Sequence, residues 1–266
     1  MQIGCCTPTE KYAQIVSAGY DYVEFPAWEI ASLTETQLQT VLRNIEEKGV
    51  PCLRLNAYCR GTPAIVGNGY SREETLRYAE NLMKKAAQLH VQCVGVGAPS
   101  ARNIPEGFDR SLADRQCEEF LRTTAEVAAE YGIHILVEAV QRGMCNYMNR
   151  TEKALRMAET LHMDNVGLVV DLYHMQTEQE DWDTLRSYIP WTRHMHVSTV
   201  GAGLARGLYG PADEAECERT FRAIAKSGYN GTVSIEPDAS ALTPEAVQTA
   251  LKLMREACCR SGISDT

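Results

Sequence analysis

The sequence predicts an α/β fold of the (β/α)8 TIM-barrel class, and three observations lead there. Short β-rich runs alternate with longer amphipathic runs, eight times along the chain. A chain of 266 residues divided by eight gives units of about thirty-three residues, the size of one βα unit. The first βα turn, Cys5 to Glu10, contains no glycine. The rival open, doubly wound sheet carries its phosphate-binding G-x-G-x-x-G in that turn. Strict alternation requires parallel strands, because a parallel crossover needs an intervening helix. No linker interrupts the pattern, so one domain spanning 1–266 is expected.

The first strand is expected at Gln2–Cys5 and its helix at Thr9–Ala18. Tyr20–Phe25 reads as the second strand and Thr34–Lys48 as the amphipathic run after it. Val50–Asn56 is the third strand, with Pro51 near its start. The loop RGTPAIVGNGYS then leads to a helix at Arg72–Leu89. Val91–Gly97 is the fourth strand, and a second long loop precedes a helix at Leu112–Tyr131. His134–Glu138, a helix at Thr151–His162, and Val166–Asp171 follow, then a loop and helix to Tyr188. The seventh strand is His194–Ser198, with the glycine-rich VGAGLARGLYGPAD after it. A helix at Glu214–Ser227, a strand at Thr232–Glu236 and a helix at Pro244–Cys258 complete the count. The long loops after the third, fourth and seventh strands are expected to cover the mouth and to be more mobile than the barrel.

Composition removes several classes of function. Hydrophobic residues make up 44% and charged residues 23%, so the chain has the makings of a core and is not disordered. No apolar window is long enough for a membrane helix. The opening MQIGCCTPTEK has no basic segment followed by an apolar one, so a cytoplasmic protein is expected. Lys and Arg total 26 against 35 Asp and Glu, a net charge of −9 that repels phosphate backbones; no nucleic-acid partner is expected. The ten cysteines show no C-x-x-C spacing and read as free thiols in a reducing compartment. The sequence leaves assembly into a homo-oligomer open.

In a barrel of this type, loops at the carboxyl ends of the strands build the site. Glu138 ends the fifth strand, Asp171 the sixth and Glu236 the eighth. The seventh carries His194 and His196 on one face. Taken singly, each carboxylate has a bland role as a surface or capping group. Three carboxylates converging without a cation would repel one another. Four polar strand ends in succession are explained more economically by one divalent cation held by Glu138, Asp171, His196 and Glu236. His194 lies deeper and is read as a satisfied core residue. Three carboxylates with one imidazole suit Mn²⁺ first, then Mg²⁺ or Co²⁺, with Zn²⁺ still open. Glu24 and Asn56, at the second and third strand ends, are candidates for binding substrate hydroxyls. Phe25, Trp28 and Tyr58 are candidate pocket walls, with core packing as the default.

The segments ILVEAVQR, VGLVVDLYHM, RHMHVS and SGYNGTVSIEP resemble the xylose isomerase-like superfamily of sugar phosphate isomerases and epimerases, over essentially the whole chain. The resemblance implies the same four metal ligands and places His174 near the substrate. It also implies an arginine contact to sugar hydroxyls, for which Arg206, ten residues after His196, is the nearest candidate; a solvated loop arginine is the alternative there. Within the superfamily the ketose 3-epimerases are most similar. Glu138 and Arg142 match their fifth-strand motif and Asn149 matches its later asparagine. Gln141 replaces an asparagine, and Met144 stands where a second glutamate belongs.

The expected chemistry is metal-assisted. A cation that polarises a ketose carbonyl stabilises an enediolate. Glu138 and Glu236 are then the candidate bases for epimerisation or isomerisation of a small carbohydrate. Three alternatives remain. One is a lyase or dehydratase of a cyclitol or keto-sugar, or a glycoside-cleaving enzyme, on the same scaffold. Another is an AP endonuclease, disfavoured because the remaining histidines are too few and misplaced for a three-metal cluster. The last is a non-catalytic sugar-binding barrel, which has no need of two metal-bound glutamates.

Overall fold

The computed structural model describes residues 1–263. Eight parallel strands close a barrel: β1 (Gln2–Cys6), β2 (Tyr22–Pro26), β3 (Cys52–Asn56), β4 (Cys93–Val96), β5 (His134–Glu138), β6 (Val166–Asp171), β7 (Thr192–Val197) and β10 (Thr232–Ile235). The two remaining strands, β8 (Thr199–Val200) and β9 (Arg206–Gly207), pair antiparallel in the loop after β7. β1 pairs with both β2 and β10, which closes the ring. The register sets Asp171 opposite His196 and His196 opposite Ser234, so the polar ends of neighbouring strands arrive at a similar height.

The helices are α1 (Tyr12–Ala18), α2 (Ala27–Ser32), α3 (Glu35–Lys48), α4 (Arg72–Gln88), α5 (Arg110–Ala129), α6 (Thr151–Leu161), α7 (Leu172–Thr177), α8 (Leu185–Tyr188), α9 (Glu214–Ser227) and α10 (Pro244–Arg260). Their starts follow from local chemistry. Thr34 and Gln37 form a reciprocal capping box on α3, while the Ser71 and Asp109 side chains accept from the first turns of α4 and α5. Thr243 caps α10, whose first residue is Pro244, where a missing N–H costs nothing. The long helices bury one face each against the barrel, giving a continuous apolar layer between helices and strands.

The eightfold alternation and the long helices agree with the sequence, and three details correct it. α2 begins directly after Pro26, between the second strand and the Thr34–Lys48 run, where the sequence predicts no element; six residues are too few for a helical period to register. The connection after β6 has no loop before its helix, because Asp171 ends the strand and its Oδ1 accepts the Tyr173 N–H at 2.8 Å, capping α7 at once. The loop after β7 contains the β8–β9 hairpin and is not wholly irregular. No disulfide joins the cysteines, and nine of the ten are buried. No helix among the described residues is long and apolar enough to cross a membrane.

Candidate metal centre at the barrel mouth

Glu138 ends β5, Asp171 ends β6, His196 sits one residue before the end of β7, and Glu236 follows β10. One ligand-type atom from each lies within 4.8 Å of the others. His196 Nδ1 is 3.4 Å from Glu138 Oε1 and 3.3 Å from Glu236 Oε2. Its other nitrogen, Nε2, lies 3.1 and 3.2 Å from the two oxygens of Glu24. A carboxylate only accepts, so Nε2 carries the proton that faces Glu24 and Nδ1 turns a lone pair toward the cluster. Nδ1 is buried and has no hydrogen-bond partner among the described residues.

A lone pair among carboxylates in a dry environment is stable only beside positive charge. Burial pushes the His196 imidazole pKa down, yet Glu24 and Glu236 outweigh burial and hold it well above the ordinary value. The field at this nitrogen therefore favours a proton or a metal ion. The donor set, three carboxylates and one imidazole with its far nitrogen held by a carboxylate, fits a divalent cation.

The surrounding groups set the charge of each ligand. Burial raises the Asp171 carboxyl, but Arg206, His174 and His196 outweigh it and hold the pKa well below the usual range. Glu236 is also lowered, with Arg206 and His196 overcoming burial. Glu138 is raised, by burial first and by the neighbouring Glu236 and Asp171 charges, against the pull of His196. Arg206 Nη2 lies 2.7 Å from Asp171 Oδ2 and 2.5 Å from Glu236 Oε2, and its Nε donates to the Glu236 carbonyl at 2.9 Å. The β8–β9 hairpin carries this arginine back over the mouth, so the solvated-loop alternative does not hold.

His174 is buried on α7. Its Nδ1 lies 3.3 Å from the Gln141 backbone N–H, and its Nε2 lies 3.3 Å from Arg206 Nη1 and 3.5 Å from Asp171 Oδ2. Burial holds its pKa down at about 4, so the ring is neutral. Asn56 donates from Nδ2 to Glu236 Oε1 at 2.8 Å, and its Oδ1 is buried without a partner among the described residues. Glu24 requires a correction. It does not reach the cavity: it is 1% exposed, inside the barrel beneath His196, with both oxygens engaged by histidines. β2 runs on to Pro26, so Glu24 is an inward-facing strand residue and not the strand's end. His194 lies deeper, fully buried, as expected.

Above the cluster is a cavity of about 430 Å³. Much of its wall is apolar, from Trp28, Ala57, Ala98, Pro99, Val140 and Met144. The loops after β3, β4 and β7 all contribute to it, as their lengths suggest. Arg60 stacks on Trp28 with its guanidinium carbon 3.5 Å from the ring centre. Phe25 and Tyr58, by contrast, are core residues. Met144 lines the cavity and is 43% exposed. Arg142 points away, to Glu178 at 3.5 Å, and Asn149 Nδ2 ties the loop by donating to the carbonyls of Val140 and Cys145. Two supports escaped the sequence reading. Gly97 lies directly under Glu138 Oε2, and buried Arg102 donates to the Glu138 carbonyl at 2.8 Å.

A closed eight-stranded barrel with carboxylates and an imidazole gathered at the carboxyl ends of its strands defines the class. The chain belongs to the xylose isomerase-like TIM barrel family, which its sequence matches over residues 12–257. A ketose 3-epimerase of Arthrobacter globiformis is 24% identical over 245 residues, covering 90% of this chain and 80% of that protein. An inosose isomerase of Halalkalibacterium halodurans is 24% identical over 249 residues, covering 87% and 84%. Among solved structures, a D-psicose 3-epimerase crystallised in the presence of D-fructose has a TM-score of 0.79 at 17% identity, covering 98% of this chain and 100% of that one. The IolI protein with a bound zinc atom has a TM-score of 0.76 at 19% identity, covering 100% of both chains.

Proposed function

We propose that this chain is an isomerase or epimerase of a sugar or sugar derivative. It moves a proton at a carbon beside a carbonyl and depends on one divalent cation, Mn²⁺ before Mg²⁺, Co²⁺ or Zn²⁺. The observation that carries this reading is the convergence of Glu138, Asp171, His196 and Glu236 beneath a cavity at the barrel's carboxyl end. Relatives named as a ketose 3-epimerase and an inosose isomerase support the same substrate class.

Held by those four side chains, a divalent cation would act as a Lewis acid on a carbonyl and its neighbouring hydroxyl. Glu138 and Glu236 reach the centre from β5 and β10, on opposite sides of the β6–β7 pair. One takes a proton from one face of the substrate carbon and the other returns it on the opposite face, which inverts the centre. Return by a single base to the adjacent carbon isomerises instead. Neutral His174 and the Arg206 guanidinium, 3.3 Å apart, both line the cavity and bind substrate oxygens there.

Met144 favours a second reading: a lyase or dehydratase of a cyclitol or keto-sugar, or a glycoside-cleaving enzyme. A thioether lines the cavity where the similar epimerase motif has a glutamate. A free ketose loses charge-assisted hydrogen bonds there, each worth about 1.5–3 kcal/mol. The test is metal analysis of the purified protein, then a panel of free ketoses, cyclitol ketones and keto-glycosides with that metal. One equivalent of cation, turnover of the less hydroxylated or glycosidic members, and faster ketose turnover by Met144→Glu are expected. Efficient epimerisation of unmodified fructose or tagatose by the wild type would refute the role given to Met144. No turnover of any member would overturn the proposed activity.

A further inference from the structure

Beneath the candidate metal centre runs a chain of buried polar groups, and the geometry points to Glu24 as the residue that positions His196 for the cation. The inference rests on reading the cluster as a metal centre. Arg54 donates from Nε and Nη2 to Thr232 Oγ1 at 3.2 and 3.1 Å. Thr232 Oγ1 is 2.8 Å from His194 Nδ1, and His194 Nε2 is 2.9 Å from Glu24 Oε2. Glu24 in turn contacts His196 Nε2. Every member is buried, from Arg54 at 7% exposure to His196 at 0%.

Proton accounting fixes the direction of each bond. Arg54 only donates, so the Thr232 oxygen accepts from it and keeps its own hydrogen for His194 Nδ1. His194 then carries its proton on Nε2 and donates to Glu24. Glu24 also accepts from His196 Nε2–H, and this leaves His196 Nδ1 aimed at Glu138, Asp171 and Glu236. The opposite tautomer of His194 would donate from Nδ1 to the Thr232 carbonyl, 3.0 Å away. That carbonyl already accepts from Tyr229, and the switch would set a lone pair against the Glu24 carboxylate. With a cation in place of a proton at His196 Nδ1, the chain needs no charged imidazole, and its charges are then Arg54 at the base and Glu24 next to the site. A fixed carboxylate behind a ligating imidazole sets its tautomer and ring plane and raises its basicity.

The test uses full-length protein loaded with Zn²⁺ or Co²⁺, comparing the wild type with Glu24→Gln and Thr232→Val. Both replacements preserve shape, and thermal melts check the fold. Nitrogen-15 NMR of the six histidines in the zinc form should show a protonated Nε2 on His196 in the wild type. Removing an outer partner of a metal-binding histidine weakens affinity by about 10–100-fold, which is the loss expected for Glu24→Gln, together with a changed cobalt absorption spectrum. Thr232→Val should weaken affinity less, and should add little to Glu24→Gln because both act through one chain. Wild-type affinity and an unchanged cobalt spectrum in Glu24→Gln would overturn the positioning role while leaving the metal centre intact. A wild-type protein that binds no divalent cation would overturn the metal centre and this inference with it.

Discussion

A methyl group at position 97 would overlap Glu138 Oε2, so the residue there is glycine because the carboxylate lies directly on its backbone. Gly97→Ala should displace Glu138 while leaving its chemistry unchanged. A misplacement of about 1 Å costs on the order of 10²-fold in rate, and Zn²⁺ affinity should fall alongside, with the melting temperature little changed. Wild-type affinity and kinetics in that variant would show that the carboxylate position does not matter. Glu236→Gln makes the complementary change: it keeps an oxygen donor and removes a base. Turnover should be lost far more completely than metal binding, as kinetics and metal titration would show, and full activity with metal retained would place the base elsewhere. The three candidate carboxylate ligands were legible in the sequence because each closes a largely apolar run, and His196 because it repeats His194 two residues on along the seventh strand. Glu24 misled because it too is a carboxylate in an apolar strand, and only the barrel's closure shows that it points inward beneath His196. Arg206 was ambiguous because the hairpin that returns it to the site is made of two-residue strands.

At the scale of elements, long helices and apolar strands declared themselves through their periods, and short elements did not. α2 has six residues and α8 four, too few for any 3.6-residue pattern to stand out. The same three loops that contribute to the cavity lie outside the barrel sheet, the loop after β7 holding the two-residue β8–β9 pair, whereas the barrel strands are paired on both sides. Local opening should follow that difference. Hydrogen exchange is expected to be fastest in 57–71, 97–109 and 198–213 and slowest in the barrel strands. Exchange in 198–213 should slow further on addition of metal and sugar, because Arg206 ties that hairpin to Asp171 and Glu236. Protection of these loops equal to that of the strands would contradict a role as movable covers.

For the molecule as a whole, the eightfold alternation was enough to specify a closed barrel, since eight right-sized βα units have few other ways to bury both faces of a parallel sheet. Substrate identity was less legible, because the cavity wall is assembled from loops whose arrangement no periodicity records. A cation bound only by the folded barrel must stabilise it. At a hundredfold excess over its Kd the gain is about 2.7 kcal/mol, roughly a 5–10 °C rise in melting temperature for a chain of this size. Chelation should reverse the rise. A melting temperature indifferent to chelator and to every divalent cation tried would argue that the folded state does not hold one.

The central claim, proton transfer at a carbon beside a carbonyl by Glu138 and Glu236, is tested most directly by solvent deuterium. Metal-loaded protein is incubated in D2O with the best substrate from the ketose, cyclitol-ketone and keto-glycoside panel, and the recovered sugar is analysed by NMR and mass spectrometry. Deuterium at the single carbon next to the carbonyl, absent in Glu236→Gln, is the predicted result. Conversion that proceeds fully without deuterium entering substrate or product, at every extent of reaction, would contradict it.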